Sequence, residues 1–539
     1  MKIIGSLIFL SFLYYAHPVA AAVTPLDFAV NMDEPVIVDT TGGTPRIAID
    51  VGGTTRYATY TSGSGSAALI FTYTPAAGDL DLDGVALTSP LDLNGGTIRD
   101  IAGNNATLTY TLPTTTGVKV DYPSLSTDFI NNRYTLNGTS YNSLPSFLTA
   151  SGGTFSRAST ATYFDSTGTL QTAAANTPRF DYDPSTLAPK GILIEESKTN
   201  SIPNSTMQGV AAGTPGTLPT GWFAGYNPGG FSYQVIGTGT EKGMSYVDIR
   251  FYGNTAADEI QMVPGPGSAA SAGQIWTGSA YMRMVGGTTA KLSTVSTRMT
   301  WTNPAYISFS ATNLISNISS STLYRGAITA TAPATTTTVT SSINLIANAA
   351  GADITLRIAA PQREIGTFAS SYIPTTNAAV TRNSDRLTIP TAAWFDISKS
   401  GLYITGDILG LPTGGGTFQT GIGTDANNYF GFPYISTSAF AAAAYYRSAG
   451  AGPLIASASL PLNTVYKASY SYSVPLNTAS YYKNGALVGT GSGVNTMASA
   501  TFLGIGVSPF VAIPSSGHIR NVKYYPAYIT AAQLQLLTQ

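Results

Sequence analysis

At 539 residues the chain is too long for one hydrophobic core, and a hydrophobic share of 43% with 32 Tyr and 21 Phe excludes a disordered protein. Only 10% of residues are charged and the formal net charge is −1, so the basic footprint that phosphate binding needs is missing and nucleic acid is excluded as a partner. The chain has no cysteine, which removes disulfides, thiolate metal sites and cysteine nucleophiles together. Abundant Thr, Tyr, Val and Ile with frequent Gly and Pro suits short strands joined by tight turns, and predicts an all-β, multidomain architecture.

Met1 to Ala22 reads MKIIGSLIFLSFLYYAHPVAAA, one Lys before an apolar run and a small-residue stretch that ends at Ala22. This layout predicts a signal peptide over residues 1–22, since the run is short for a membrane span. From 23 to 117 the pattern is strand, turn, strand: Arg46 to Val51 and Arg56 to Tyr60 alternate around Gly52 and Gly53, followed by Ala68 to Tyr73 and Ala106 to Leu112. The density of short strands is that of an immunoglobulin-type sandwich. VGGTTRYATYTSGSGSAALIFTYT, DLDGVALTSPLDLNGGTIRD and AGNNATLTY resemble the bacterial immunoglobulin-like repeats of surface adhesins, which implies a spacer or mounting domain.

Asp79, Asp81 and Asp83 precede Gly84 at alternate positions, a spacing that can wrap oxygen ligands around Ca²⁺. The place for a bidentate Glu is held by Pro90, however, and the interposed leucines suggest a strand edge. A solvated acidic turn is expected, with a Ca²⁺ site as the alternative; no other cofactor is implied.

Residues 118–200 read as a linker and a joint between larger units. Asn131, Asn132, Asn137 and Gly138 are turn signals around a short strand from Arg133 to Leu136. The stretch then carries FSRASTATYFD, a Gly168 turn, LQTAAANTPRFDYDP and GILIEESKTN. On Phe155, Arg157, Ala158, Ser159, Tyr163, Asp165, Gly168, Pro178, Arg179, Asp181, Tyr182, Asp183, Gly191, Glu195, Glu196, Thr199 and Asn200, residues 128–200 resemble a module of tailed-phage head-spike and tail-fibre proteins. Its charges admit two readings. One is a catalytic carboxylate pair, Asp181 with Glu195. The other is an ion-paired joint in which Arg157, Arg179, Glu195 and Glu196 brace against Asp165, Asp181 and Asp183. The resemblance implies the joint.

Residues 201–385 alternate over Gly243 to Phe251, Ile275 to Met284 and Ile354 to Ala359, and resemble the jelly-roll carbohydrate-binding modules of bacterial glycanases. Exposed aromatic rings stack on sugars, so Trp222, Tyr226, Tyr233 and Trp301 are the candidate glycan-binding residues, while Trp276 reads as core. In 386–539 the clearest strand is Tyr466 to Val474, expected to be half-buried, followed by an Asn-Gly hairpin in YYKNG. The chain ends on a strand and a short helix capped by Thr530, with Gln533 completing a capping box. YYKNGALVG and GHIRNVKYYPAYITAAQLQLL resemble concanavalin-A-like or laminin-G-like sandwiches. That fold also houses glycanases, but no glutamate follows Glu364, and His518 is the only histidine beyond the signal peptide.

The sequence therefore predicts an immunoglobulin-like sandwich followed by a jelly-roll and a concanavalin-A-like sandwich. The resemblances imply a phage-fibre or head-spike type attachment protein, without enzyme activity, at the virion surface or exported. Its expected partners are cell-surface polysaccharide or lipopolysaccharide, virion or surface scaffold proteins, and two further copies of itself in a homotrimer. A secreted bacterial adhesin or exopolysaccharide-binding protein is the first alternative, and a polysaccharide depolymerase the second.

Overall fold

A computed structural model describes residues 24–436, 443–455, 460–508 and 514–539. The signal peptide expected over 1–22 lies outside the described residues. Among the described residues no helix is long and apolar enough to cross a membrane. The chain is an all-β, multidomain protein, with two short helices among the described residues.

The N-terminal unit centres on a six-stranded antiparallel sheet, in the order Ala86–Leu87, Arg46–Val51, Thr54–Ser62, Ser66–Tyr73, Leu26–Asp39, Thr97–Asp100. Its inward residues, among them Phe28, Val30, Ile47, Ile49, Leu69 and Phe71, sit at alternate positions, as a strand period of two requires. Ala106, Tyr110 and Val118 cover that face from an extended segment. Ala106 to Leu112, expected as a ladder strand, is not one. Leu108 O accepts from Leu91 N and Tyr110 N donates to the Ser89 hydroxyl, single bonds to turns that cannot propagate a ladder.

The Asp79–Asp81 strand pairs with Val120–Tyr122 and forms the seam with the C-terminal unit. Leu80 and Leu82 enter an apolar cluster with Tyr403, Tyr482, Tyr525, Ile529, Leu534 and Leu537. The solvated acidic turn is thereby corrected. Asp79 is buried against Arg56 and Tyr73, Asp81 accepts from Gly52 N and Gly84 N, and Asp83 accepts from Gln533. Each of the three carboxylates has donors of its own, and no group of acidic or histidine ligands placed for a metal occurs among the described residues. Leu80→Ala is expected to cost about 2–3 kcal/mol, at the lower end for a buried leucine, and to speed proteolysis within residues 112–119. An unchanged cleavage rate would show that the cluster does not hold the units together.

Residues 118–200 are not a freestanding linker and joint. Most of their short strands complete the two sheets of the C-terminal sandwich, while Ala161–Phe164 and Leu170–Ala173 form a hairpin of their own that packs on Met244 and Tyr281. The larger sheet runs Thr139–Tyr141, Arg133–Leu136, Leu125–Asp128, Gly517–Tyr525, Lys399–Gly406, Tyr466–Ser473, Thr478–Lys483, Ala486–Gly491, and Pro189–Ile194 also pairs with Gly517–Tyr525. The facing sheet runs Thr154–Ser156, Arg386–Pro390, Phe502–Ile505, Thr417–Asp425, Asn428–Ile435, Ala443–Arg447, Leu454–Ile455. Leu125, Phe129, Tyr134 and Phe147 share one core with Trp394, Tyr470 and Tyr524. Strands of three or four residues are too short to stand alone, so they fold only as part of this larger sheet.

Tyr466–Ser473 is buried on both faces, where a half-buried strand was expected. The C-terminal segment covers its serine face, with Ile529 N donating to Ser471 Oγ. The small serines permit that close approach. The helix Ala531–Thr538 buries Leu534 and Leu537 but lacks the expected capping box. Gln533 is drawn instead to Leu82 N and Asp83, across the seam.

The jelly-roll is inserted into this sandwich. Lys198–Asn200 leads in, Val380–Arg382 leads out, and the two pair as an antiparallel ribbon. One of its sheets runs Phe223–Ala224, Glu259–Val263, Thr338–Ala347, Leu292–Asn303, Ala305–Asn313; the other runs Ser232–Glu241, Met244–Gly253, Ala352–Ile365, Ile275–Gly287, Tyr324–Thr331.

Candidate functional site

The strand Leu292–Asn303, LSTVSTRMTWTN, turns Val295, Met299 and Trp301 inward. Alternation then sends Thr294, Ser296, Arg298 and Thr300 to the outer face. On neighbouring strands Ile260, Met262, Ile343 and Leu345 point inward, leaving Glu259, Gln261 and Asn344 outside with them. The registers align these outer residues. Gln261 lies opposite Asn344, Asn344 opposite Ser296, and Ser296 opposite Asn313, so one polar rung crosses four strands.

This rung lines a cleft of about 700 Å³, with Tyr226, Tyr306 and Phe309 among its walls. The three rings are 58%, 59% and 50% exposed, an unusual investment of aromatic surface in water. The middle of the rung is dry: Ser296 and Asn344 are 1% and 3% exposed. Ser296 Oγ, Asn344 Oδ1 and Arg298 Nε have no protein hydrogen-bond partner. Leaving a buried polar atom unpaired costs about 1–3 kcal/mol, a cost that a hydrogen-bonding group entering the cleft would remove. Arg298 donates to Glu259 at 3.0 Å and lies 3.7 Å over the Phe309 ring, which fixes that wall.

Of the aromatic residues singled out in the sequence, Tyr226 lines the cleft. Trp301 does not: its position in the alternation turns it inward, where it packs on Trp276, Met299 and Val339. Trp222 is buried and donates its indole N–H to Asn204 O at 2.9 Å, while half-buried Tyr233 belongs to the opposite sheet. Sequence reasoning missed Tyr306, Phe309, Ser296, Arg298 and Asn344. The signal was present in the alternation of LSTVSTRMTW, which gives one apolar and one polar face.

A second cluster sits where the chain leaves and re-enters the sandwich. Asp385 accepts from Arg157 at 2.9 Å, Arg179 at 2.5 Å and Glu195 N at 2.9 Å. Glu195 accepts from Arg179 at 2.8 Å, from Arg382, and from the Ser371 amide and hydroxyl. All five charged groups are buried. Burial alone would raise the Glu195 carboxyl, but Arg382 and Arg179 hold it down to about 2. The partners Asp385 and Arg382 lie far along the chain and were not foreseen. The remaining acids of the stretch are dispersed. Asp165 caps its own turn through Thr167, Asp183 caps another and faces Lys190 at 3.8 Å, and Glu196 pairs with Lys198 at 2.9 Å. Asp181 bonds His518 Nε2 at 3.0 Å, and Asp407 bonds Nδ1 of the same ring at 2.9 Å. Asp181 and Glu195 both border a smaller hollow of about 290 Å³ between the units, with His518.

No protein-family model and no curated relative matches the chain. Among solved structures it is similar to the Ruminococcus gnavus IT-sialidase CBM40 bound to α2,3-sialyllactose, at 13% identity over 26% of this chain and 83% of that one, TM-score 0.24. It is similar to domain 4 of AbnA, a GH43 extracellular arabinanase from Geobacillus stearothermophilus, in complex with arabinotriose, at 14% identity over 32% of this chain and 82% of that one, TM-score 0.24. It is also similar to Trypanosoma rangeli sialidase in complex with the inhibitor DANA, at 10% identity over 95% of this chain and 81% of that one, TM-score 0.24. Since sialidases match nearly the whole chain, the expectation that it is not an enzyme is corrected and withdrawn. TM-scores of this size carry no argument for a particular activity.

Proposed function

We propose that the chain is an attachment protein that holds a polysaccharide of the cell surface in the jelly-roll cleft. The polar rung carries this reading: desolvated hydroxyl, amide and guanidinium atoms without protein partners, beside three exposed rings. Sugar rings match that chemistry, since their C–H faces stack on aromatics and their hydroxyls both donate and accept. The resemblance of residues 128–200 to phage head-spike and tail-fibre modules favours a virion fibre or spike as the setting. The signal-peptide layout of Met1 to Ala22 favours the second reading, an exported bacterial adhesin. Particle proteomics set against culture supernatant separates the two settings.

The cleft is tested by the double variant Tyr306→Ala with Phe309→Ala, whose side chains are exposed. Affinity electrophoresis in host capsular or envelope polysaccharide should show binding weakened at least about tenfold, roughly 1.4 kcal/mol, with the melting temperature unchanged. Undiminished retardation of the variant would rule out the cleft as the binding site.

A further inference from the structure

We infer that the cleft is built for an uncharged, extended polysaccharide, laid across the strands with one sugar to each. This deepens, and rests on, the polysaccharide reading of the cleft. Two observations carry it.

The first is charge and hydrogen-bond sense. Glu259 and Arg298 face the cleft as a pair at 3.0 Å, and Arg298 is further committed to the face of Phe309. No net charge remains there to hold a carboxylate or sulfate. At the floor, Asn344 Oδ1 can only accept, so its partner must donate. A sugar hydroxyl does so; a carboxylate or sulfate oxygen cannot, and placed at the floor it would also meet the Glu259 carboxylate.

The second is spacing. Gln261, Asn344 and Ser296 stand in register on three adjacent strands, each buried, with Asn313 continuing the row at the edge. Adjacent strands lie about 4.8 Å apart. A pyranose unit in an extended 1,4-linked chain advances by roughly the same distance, on the order of 5 Å, so a chain running along the rung presents successive sugars to successive strands. Asn313 already bonds Ser293 O and Ile315 N, which makes the fourth position the weakest.

The test uses the full chain and calorimetric titration with neutral oligosaccharides (cello-, xylo- and manno-series of rising length) against oligogalacturonates and sialyllactose. The neutral series should bind with affinity that rises to about three or four sugars and then levels, the number of strands the rung crosses. Raising the salt concentration should leave that affinity unchanged. Asn344→Ala and Ser296→Ala should each lower it about tenfold, with the melting temperature held. Tighter, salt-sensitive binding of the acidic series that is lost in these variants would leave the polysaccharide reading standing and overturn this one. Binding of neutral sugars that is indifferent to both variants or to length would also overturn it. Failure of every glycan to bind would overturn both.

Discussion

Arg179→Ala is expected to destabilise the C-terminal sandwich by about 3–5 kcal/mol, the cost of breaking a buried ion pair from one side. Arg179 forks between Glu195 at 2.8 Å and Asp385 at 2.5 Å, and neither carboxylate has access to water. Truncation strips one donor from each while both remain buried. Asp385 keeps Arg157 and Glu195 keeps Arg382, so the network is weakened without being abolished. Arg179→Lys should recover only part of the loss, because a single ammonium cannot serve two carboxylates with planar geometry. Urea unfolding followed by tryptophan fluorescence reads the effect, since Trp394 is buried in that sandwich's core. A loss below about 1 kcal/mol, the level of an exposed pair, would show that the network contributes little.

His518→Gln is expected to remove an alkaline weakening expected of the wild-type chain. Burial opposes a charge on this ring, but the Asp407 carboxylate and the hydrogen bond to Asp181 outweigh it and raise His518 to about 9, from 6.5. A group whose folded value lies above its unfolded one stabilises fully below the unfolded value, and that stability is lost as pH rises through the folded one. The window is therefore pH 6.5 to about 9, and the shift corresponds to about 3 kcal/mol. Asp407, held below its usual range, stays ionised throughout this window and adds no slope of its own. The wild-type unfolding midpoint should fall across it. His518→Gln should be less stable at pH 6, because two buried carboxylates then face a neutral amide, and its midpoint should stay level up to pH 9. A parallel decline in both proteins would assign the effect elsewhere.

Local pattern was legible in the sequence where a strand's partner lies nearby. The Asn-Gly signals at Asn137 and Asn484 mark tight hairpins, with both residues of each pair at positive φ. Alternation was legible too, but it was read for its apolar face alone. In LSTVSTRMTW the tryptophan drew notice, although its parity places it with Val295 and Met299 in the core and leaves the polar face to the cleft. Pairings such as Thr127 with Val522, 395 residues apart, leave no mark on either segment, because a short polar strand reads the same beside any partner. For that reason residues 118–200 looked like a separate unit when many of their strands belong to a sandwich. The acidic turn failed differently: its leucines counted against calcium, but nothing in the segment says that Leu80 meets Leu534.

The insertion of the jelly-roll also sets an order of events during synthesis. Gly517–Tyr525 is an interior strand of the larger sheet, flanked by Leu125–Asp128, Pro189–Ile194 and Lys399–Gly406, all translated before it. At ~5–20 residues per second the Leu125 strand waits roughly 20–80 s for that partner to emerge. The jelly-roll has its own core and both sheets complete by Ile365, so it can close while the frame around it is still open. A ribosome halted past Ile365 but short of Gly517 thus carries a finished insert on an unfinished sandwich, with the sandwich's earliest strands still in need of protection.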